Sequence, residues 1–273
     1  QGEAQAGRQG EGRARKAPDY AEAALGGMAL LDEVVAAHGG RARWEAAEAI
    51  VLQIRSGGFL MISKVHRPSI PEFELRASTR EPRAVIRPYP EPGLVGVFDG
   101  AADVVRIEAE DGSVVAERAH PRPAFRSLRH LVHWDRLDLL YFAGYALWGY
   151  ATQPFCFLRP GVEAWELPAS DVSGARRRRL AVRFPPELPA HSPGQIFHVD
   201  DSGLIRRNDY TAQVVGSWAA AAHDVDAYEE ADGLLIARRR RVRPRARSGH
   251  ARPGPMLVWI DVVAARVEPR GSA

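Results

Sequence analysis

The residue types that could carry chemistry are few, and their spacing narrows them further. His130-Leu131-Val132-His133-Trp134-Asp135 is the densest ligand-like cluster. On a helix His130 and His133 would share a face. A structural zinc site needs three or four convergent ligands at a definite spacing, and this spacing matches no such pattern. Asp135 reads instead as the N-cap of the helix that follows, so no metal is expected. Cys156 is the single cysteine and lies between Phe155 and Phe157. It reads as a buried core thiol and excludes a disulfide scaffold. The chain has no Gly-x-Gly-x-x-Gly after a strand, no Walker A loop, no Gly-x-Ser-x-Gly elbow and no His-Glu-x-x-His. Nucleotide cofactors and serine-hydrolase chemistry are therefore unsupported, and no cofactor is expected.

Arginine runs at 176–179 and 238–241 invite a phosphate-binding reading. In a strand, alternate residues point to opposite faces, so each run splits two and two and makes no single basic stripe. Asp224, Asp226, Glu229 and Glu230 on a neighbouring strand are placed to pair with the second run. The balance of 37 basic and 34 acidic residues, a net +3, adds no polyanion signal. No nucleic-acid partner is expected.

The remaining polar cluster spans residues 195–243, read as consecutive antiparallel strands with Asp/Gly turns. Parity places Asp209 with Arg207 and Ile205, and Tyr210 with Asn208 and Arg206. It also groups Asp224, Asp226 and Tyr228, and pairs Arg239 with Arg241. If one such face turns inward, buried charges must pair, and such networks mark sites with shifted pKa values. The expected catalytic candidates are Asp209, Tyr210, His223 and Arg239. The expected ligand-binding group is Tyr141, Tyr145, Trp148, His198, Asp226, Tyr228 and Arg241. His66, His198 and His223 could each supply a base near neutral pH.

The elements that position these residues follow from periodicity. Residues 1–17 lack large apolar side chains and read as a disordered leader, residues 18–268 as one domain, and 269–273 as a tail. An Asp19/Glu22 capping box opens a first helix whose Tyr20, Ala24, Met28, Leu31 and Val35 keep a helical period. A short helical turn follows near 41–48. The period then becomes two, with strands expected at 50–56, 59–66, 73–78, 84–89, 94–98, 104–108 and 114–118. A second series is expected at 164–167, 178–184, 196–200, 204–211, 224–229, 234–242 and 257–267. Residues 244–255 read as a flexible hairpin loop.

Between the two series, residues 121–157 form a helical insertion. Leu137, Leu140, Tyr141, Gly144, Tyr145 and Trp148 make one aromatic-rich face. Residues 139–158 carry no charge, yet three tyrosines, two glycines and Gln153-Pro154 argue for a buried helix and against a membrane span. The predicted class is mainly β with α (α+β). A large curved antiparallel sheet forms an open half-barrel, with an N-terminal helix and a central helical insertion covering one face.

The segments Tyr141-Phe142-Ala143-Gly144-Tyr145-Ala146-Leu147-Trp148, Gly203 to Thr211, and Asp232-Gly233-Leu234 running into Arg238 to Val242 resemble uncharacterised bacterial proteins with a lipoprotein-carrier-like (LolA/LppX-like) half-barrel. The resemblance implies that half-barrel over residues 20–268. A cofactor-free enzyme of violacein biosynthesis shares the fold, so the resemblance allows catalysis too. The expected function is binding of a small, largely apolar molecule between sheet and helices. The first alternative is a cofactor-independent cyclase, isomerase or dehydratase of specialised metabolism. The further alternative is a periplasmic lipid or lipoprotein carrier. The absence of an apolar stretch in residues 1–19 sets the expected location as cytoplasmic, or periplasmic if a leader has been removed.

Overall fold

Two-residue alternation over most of the chain is satisfied by a curved antiparallel sheet with its apolar side covered. The computed structural model describes residues 20–65, 71–172 and 174–271. The leader at 1–17, the Asp19/Glu22 capping box and His66 lie outside the described residues. Helices α1 (Tyr20–Ala37) and α2 (Arg41–Ala46) precede β1 (Ala47–Gly57). Then come α3 (Phe59–Lys64) and a meander of β2 (Glu72–Ser78), β3 (Arg83–Arg87), β4 (Leu94–Asp99), β5 (Val104–Ala109) and β6 (Val114–Ala119). Two 3-10 turns lead into α4 (Arg136–Thr152). A second meander follows: β7 (Glu163–Val172), β8 (Ala175–Arg183), β9 (Gly194–Val199), β10 (Ile205–Thr211), β11 (Ala220–Ala231), β12 (Leu234–Pro244) and β13 (Val258–Pro269).

All these strands join one 13-stranded antiparallel sheet in the order β6-β5-β4-β3-β2-β1-β13-β12-β11-β10-β9-β8-β7. The first and last strands meet in its middle, so β1 and β13 join two locally built meanders. The sheet stays open, with β6 and β7 as its edges. Its concave side packs the core against α4, which is apolar nearly all round and buried on most of its circumference.

One expected strand is a helix. Residues 59–66 read as β because Phe59-Leu60-Met61-Ile62 is a short apolar run that fits either period. Gly58 turns the chain at φ 133°, a conformation L side chains rarely adopt. The Phe59 and Leu60 amides then donate to Met256 O and Leu257 O at 2.9 and 3.0 Å. These bonds seat α3 across the start of β13.

The His130–Asp135 cluster is the foundation of α4. Asp135 caps the helix, accepting from the Asp138 amide at 2.9 Å, while the Asp138 carboxylate accepts from the Asp135 amide at 3.0 Å. Two acidic side chains at one helix start are held by Arg118, bonded to both, and by Arg129. Burial alone would raise Asp135, but the Arg118 hydrogen bond and the Asp138 amide hold it below the usual carboxylate range. His130 is buried with Nδ1 2.8 Å from Ser127 Oγ and Nε2 3.0 Å from Asp138. These groups serve the helix terminus. Among the described residues no helix is long and apolar enough to cross a membrane.

Candidate functional site: an apolar cavity under the half-barrel

Between the concave face and α4 lies a cavity of about 520 Å³. Helix α4 presents Leu139, Phe142, Ala143, Ala146, Leu147 and Tyr150 to it. These follow the same i, i+3, i+4 rhythm as the expected face 137, 140, 141, 144, 145, 148, but form the next stripe round the helix. Gly144 explains the difference. A Cβ there would stand 2.3 Å from Phe98 Cβ, so the glycine face is the one pressed on the sheet. Ala143 and Ala146, on the other stripe, leave room for the cavity. The sheet contributes Phe73, Ile86, Tyr210, Ala221, Val242 and Ile260.

Tyr141, Tyr145 and Trp148, expected to close the pocket, lie outside its wall. All three are buried core residues. Tyr141 packs among Phe98, Phe125 and Tyr145, and the Trp148 indole donates to Ser78 O at 3.0 Å.

Register then separates the polar strand residues. Tyr210, Ala221 and Pro244 are paired across β10, β11 and β12 and face the cavity together. The row His198, Arg207, Asp224, Arg241 is one residue out of step, as is the row Asp226, Arg239, Asp261. Both rows therefore stand on the convex side. Asp209, His198, Asp226, Arg239 and Arg241 are not cavity residues, because strand alternation puts them on the opposite face. Tyr228 departs from Asp224 and Asp226 for a local reason. Ala227 takes the left-handed backbone region at φ 53° while β11 and β12 stay in register, and Tyr228 sits beside His38 with its hydroxyl donating to Ile205 O at 2.6 Å.

The convex group is still a buried ion network. Asp209 accepts from Arg207 Nε at 2.6 Å and lies 3.1 Å from His198 Nε2. Arg207 also donates to Gly249 O, so the loop at 244–255 folds over this group instead of hanging free. Burial would raise the Asp209 carboxyl, but the His198 and Arg207 hydrogen bonds lower it below its usual range.

A second polar group, which parity alone did not single out, backs the cavity floor. Tyr150 and Tyr210, whose hydroxyls lie 3.2 Å apart, both line the cavity. Tyr150 OH is 2.6 Å from His191 Nε2, and Tyr145 OH is 3.1 Å from His191 Nδ1. The His191 ring stacks on Tyr210 with centroids 4.1 Å apart. Arg240 lays its guanidinium 4.9 Å from the Tyr150 ring and donates to Tyr150 O. His223 is fully buried, with neither ring nitrogen hydrogen-bonded among the described residues. Burial lowers His191 to about 3 and pushes Tyr150 up to about 12. Burial likewise drives His223 well down. The floor is therefore neutral at pH 7 apart from Arg240. Cys156 lies in the core, its thiol pushed up to about 12 by burial.

Exposed apolar residues frame the entrance: Phe59 of α3, Leu131 and Trp218 all line the cavity while half or more of their surface is free. Such clustered exposure is atypical of a monomer surface.

No family model matches the chain, and no curated protein matches it. Solved structures do. A DUF1329 family protein from Desulfovibrio piger ATCC 29098 superposes with TM-score 0.51 at 12% identity, over 90% of this chain and 95% of that one. An outer membrane lipoprotein-sorting protein domain from Vibrio parahaemolyticus gives TM-score 0.51 at 10% identity, over 89% and 93%. The chain has the lipoprotein-carrier-like half-barrel fold. At these identities the likeness is one of fold, and a half-barrel hosts more than one activity.

Proposed function

We propose that this half-barrel is a carrier of an apolar molecule, with a lipid or a lipid-bearing chain as cargo. The cavity under α4 is the observation that carries this reading. Its volume of about 520 Å³ falls inside the roughly 300–1,000 Å³ typical of small-ligand sites. Its walls are aliphatic and aromatic, its floor is neutral apart from one arginine, and its entrance is framed by exposed apolar side chains. A molecule held there exchanges water for apolar surface at roughly 25 cal/mol per Å². A carrier of this kind belongs in the cell envelope, in place of the cytoplasmic location expected from the sequence. Fractionation of the native host checks that location.

The test of the reading is chemical. Protein purified without detergent should yield lipid on solvent extraction and mass spectrometry. Ala143→Trp, which fills the cavity from α4, should abolish that lipid while keeping the native melting transition. Recovery of no apolar molecule, together with no uptake of added lipid, would overturn the reading.

The hydroxyls of Tyr150 and Tyr210 on the cavity wall favour one second reading, a cofactor-independent active site. The same mass spectrometry separates the two, since a carrier returns its ligand unchanged and an enzyme returns a product.

A further inference from the structure

The mouth of the cavity is a ring of four segments that lie far apart in sequence: 58–64, 122–134, 212–220 and 245–257. Hydrogen bonds join each to the next. Arg122 Nη2 donates to Gln213 Oε1 at 3.0 Å, and the Arg245 amide donates to Ala220 O at 2.9 Å. The Phe59 amide donates to Met256 O at 2.9 Å, and the Trp134 amide to Lys64 O at 2.8 Å. Of the ten exposed large apolar side chains among the described residues, six stand on this ring: Phe59, Ile62, Leu128, Leu131, Val132 and Trp218. Phe59 and Ile62 share a face of α3, and Leu128 and Leu131 share a face of a 3-10 turn. Ile62, Leu128 and Val132 do not line the cavity, so the apolar surface continues outward beyond its wall. None of the four segments carries an Asp or Glu, although 34 of the chain's 273 residues are acidic. Asp135 and Asp138, which follow the second segment, are already paired with Arg118 and Arg129. Arg126 and Arg252 are exposed on the ring, and neither enters an ion pair among the described residues.

We propose that this ring docks on an anionic lipid bilayer, its apolar side chains entering the head-group region and its exposed arginines meeting lipid phosphates. The charge pattern selects this partner. An apolar rim bordered by cations, with no acidic side chain in it, is matched by a negative surface with hydrocarbon beneath. A second copy of the ring would instead set like charges face to face. Trp218 is 72% exposed, and tryptophan favours the boundary between water and hydrocarbon. A docked mouth opens the cavity onto the bilayer, so an apolar molecule passes between them without crossing water. The inference goes beyond the carrier reading, since it concerns the outer rim and not the lining.

The experiment is flotation of the full chain with vesicles of phosphatidylcholine, either alone or with a third of it replaced by phosphatidylglycerol. Binding to the anionic vesicles should be roughly tenfold tighter or more. It should fall when salt is raised to about 1 M, where the screening length shrinks to about 3 Å. Ile62→Asp with Leu128→Asp should weaken it by roughly tenfold or more. Both positions lie outside the cavity wall, so the lipid extracted from that variant should match the parent's. Circular dichroism of the double variant must match the parent, and each single variant is measured should the double one fail to fold. Absence of flotation, equal flotation with neutral and anionic vesicles, or flotation that survives in the folded variants overturns the docking inference. A dimer in sedimentation that the same substitutions dissolve, without vesicle binding, assigns the ring to a second copy and also overturns it. Extracted lipid without flotation leaves the carrier reading standing, and flotation without extracted lipid leaves the docking inference standing alone.

Discussion

Gly144 of α4 meets Phe98 of β4 with no room for a side chain: a Cβ added at 144 would stand 2.3 Å from Phe98 Cβ and 2.6 Å from Phe98 Cγ. That contact sets how close the helix sits to the sheet, and so how wide the cavity on its other side can be.

Gly144→Ala tests this directly. Replacing a mid-helix glycine gains about 1 kcal/mol of helix propensity, but overpacking a core contact costs about 1–3 kcal/mol. Both Phe98 and the helix are buried, so the clash should win. The melting temperature is expected to fall by roughly 3–8 °C, read by differential scanning calorimetry. An unchanged or higher value would mean that the helix moves freely against the sheet.

His223→Leu should leave the protein as stable as the parent at pH 7, or more so. The wild-type imidazole is fully buried and packs on the Tyr150 and Tyr210 rings, with neither nitrogen hydrogen-bonded among the described residues, so an apolar side chain removes a desolvation cost and breaks no hydrogen bond.

Acid should destabilise the parent through its buried histidines. Burial lowers His38 to about 4 and His191 to about 3, with His223 also well down. Each folded pKa lies below the unfolded 6.5. The unfolded chain therefore binds the proton first, and stability is lost as pH falls below 6.5. The slope is at most about 1.4 kcal/mol per pH unit per histidine. Melting curves between pH 7 and 4.5 should show this loss, and a smaller one in His223→Leu.

Asp209→Asn removes the carboxylate from a buried pair and leaves Arg207 without its counter-charge. The expected cost is about 3 kcal/mol, measured by urea unfolding at pH 7. The native carboxyl titrates below its unfolded value, so this contribution is complete above roughly pH 4 and fades as pH falls through the folded pKa. The gap between parent and variant should narrow below pH 4.

Arg239→Gln and Asp226→Asn should each change ligand uptake by less than twofold. Both side chains are exposed on the convex face. A larger loss of uptake would mean that the ligand reaches that face.

Strand positions were legible because turn chemistry and a period of two reinforce one another. The bounds of β1 to β6 follow closely from Gly, Pro and Asp placement. Segment 59–64 was not legible, since its helix depends on Gly58 and on carbonyls some two hundred residues away. The stripe of α4 was ambiguous because two apolar stripes compete, and only Gly144 marks which one meets the sheet. Strand parity grouped Asp209 with Arg207, and Arg239 with Arg241, correctly. Which group faces in was hidden because Arg207, Asp209 and His198 are buried on the outer side, beneath the 244–255 loop. Their pattern alone does not distinguish a sheltered convex face from a cavity wall. The small residue Ala221 and the proline Pro244, opposite Tyr210, carried the missing signal.

The meeting of β1 and β13 in the middle of the sheet also has a mechanical meaning. The two strands run antiparallel with Ala47 opposite Pro269 and Gly57 opposite Trp259. Tension applied to the outer ends of this pair would load one rung at a time and peel the strands apart like a zipper. Pulled that way, the seam between the two meanders opens stepwise, and the cavity lies at its far end, where Ser56 and Gly57 face Val258 and Ile260 across the last rungs.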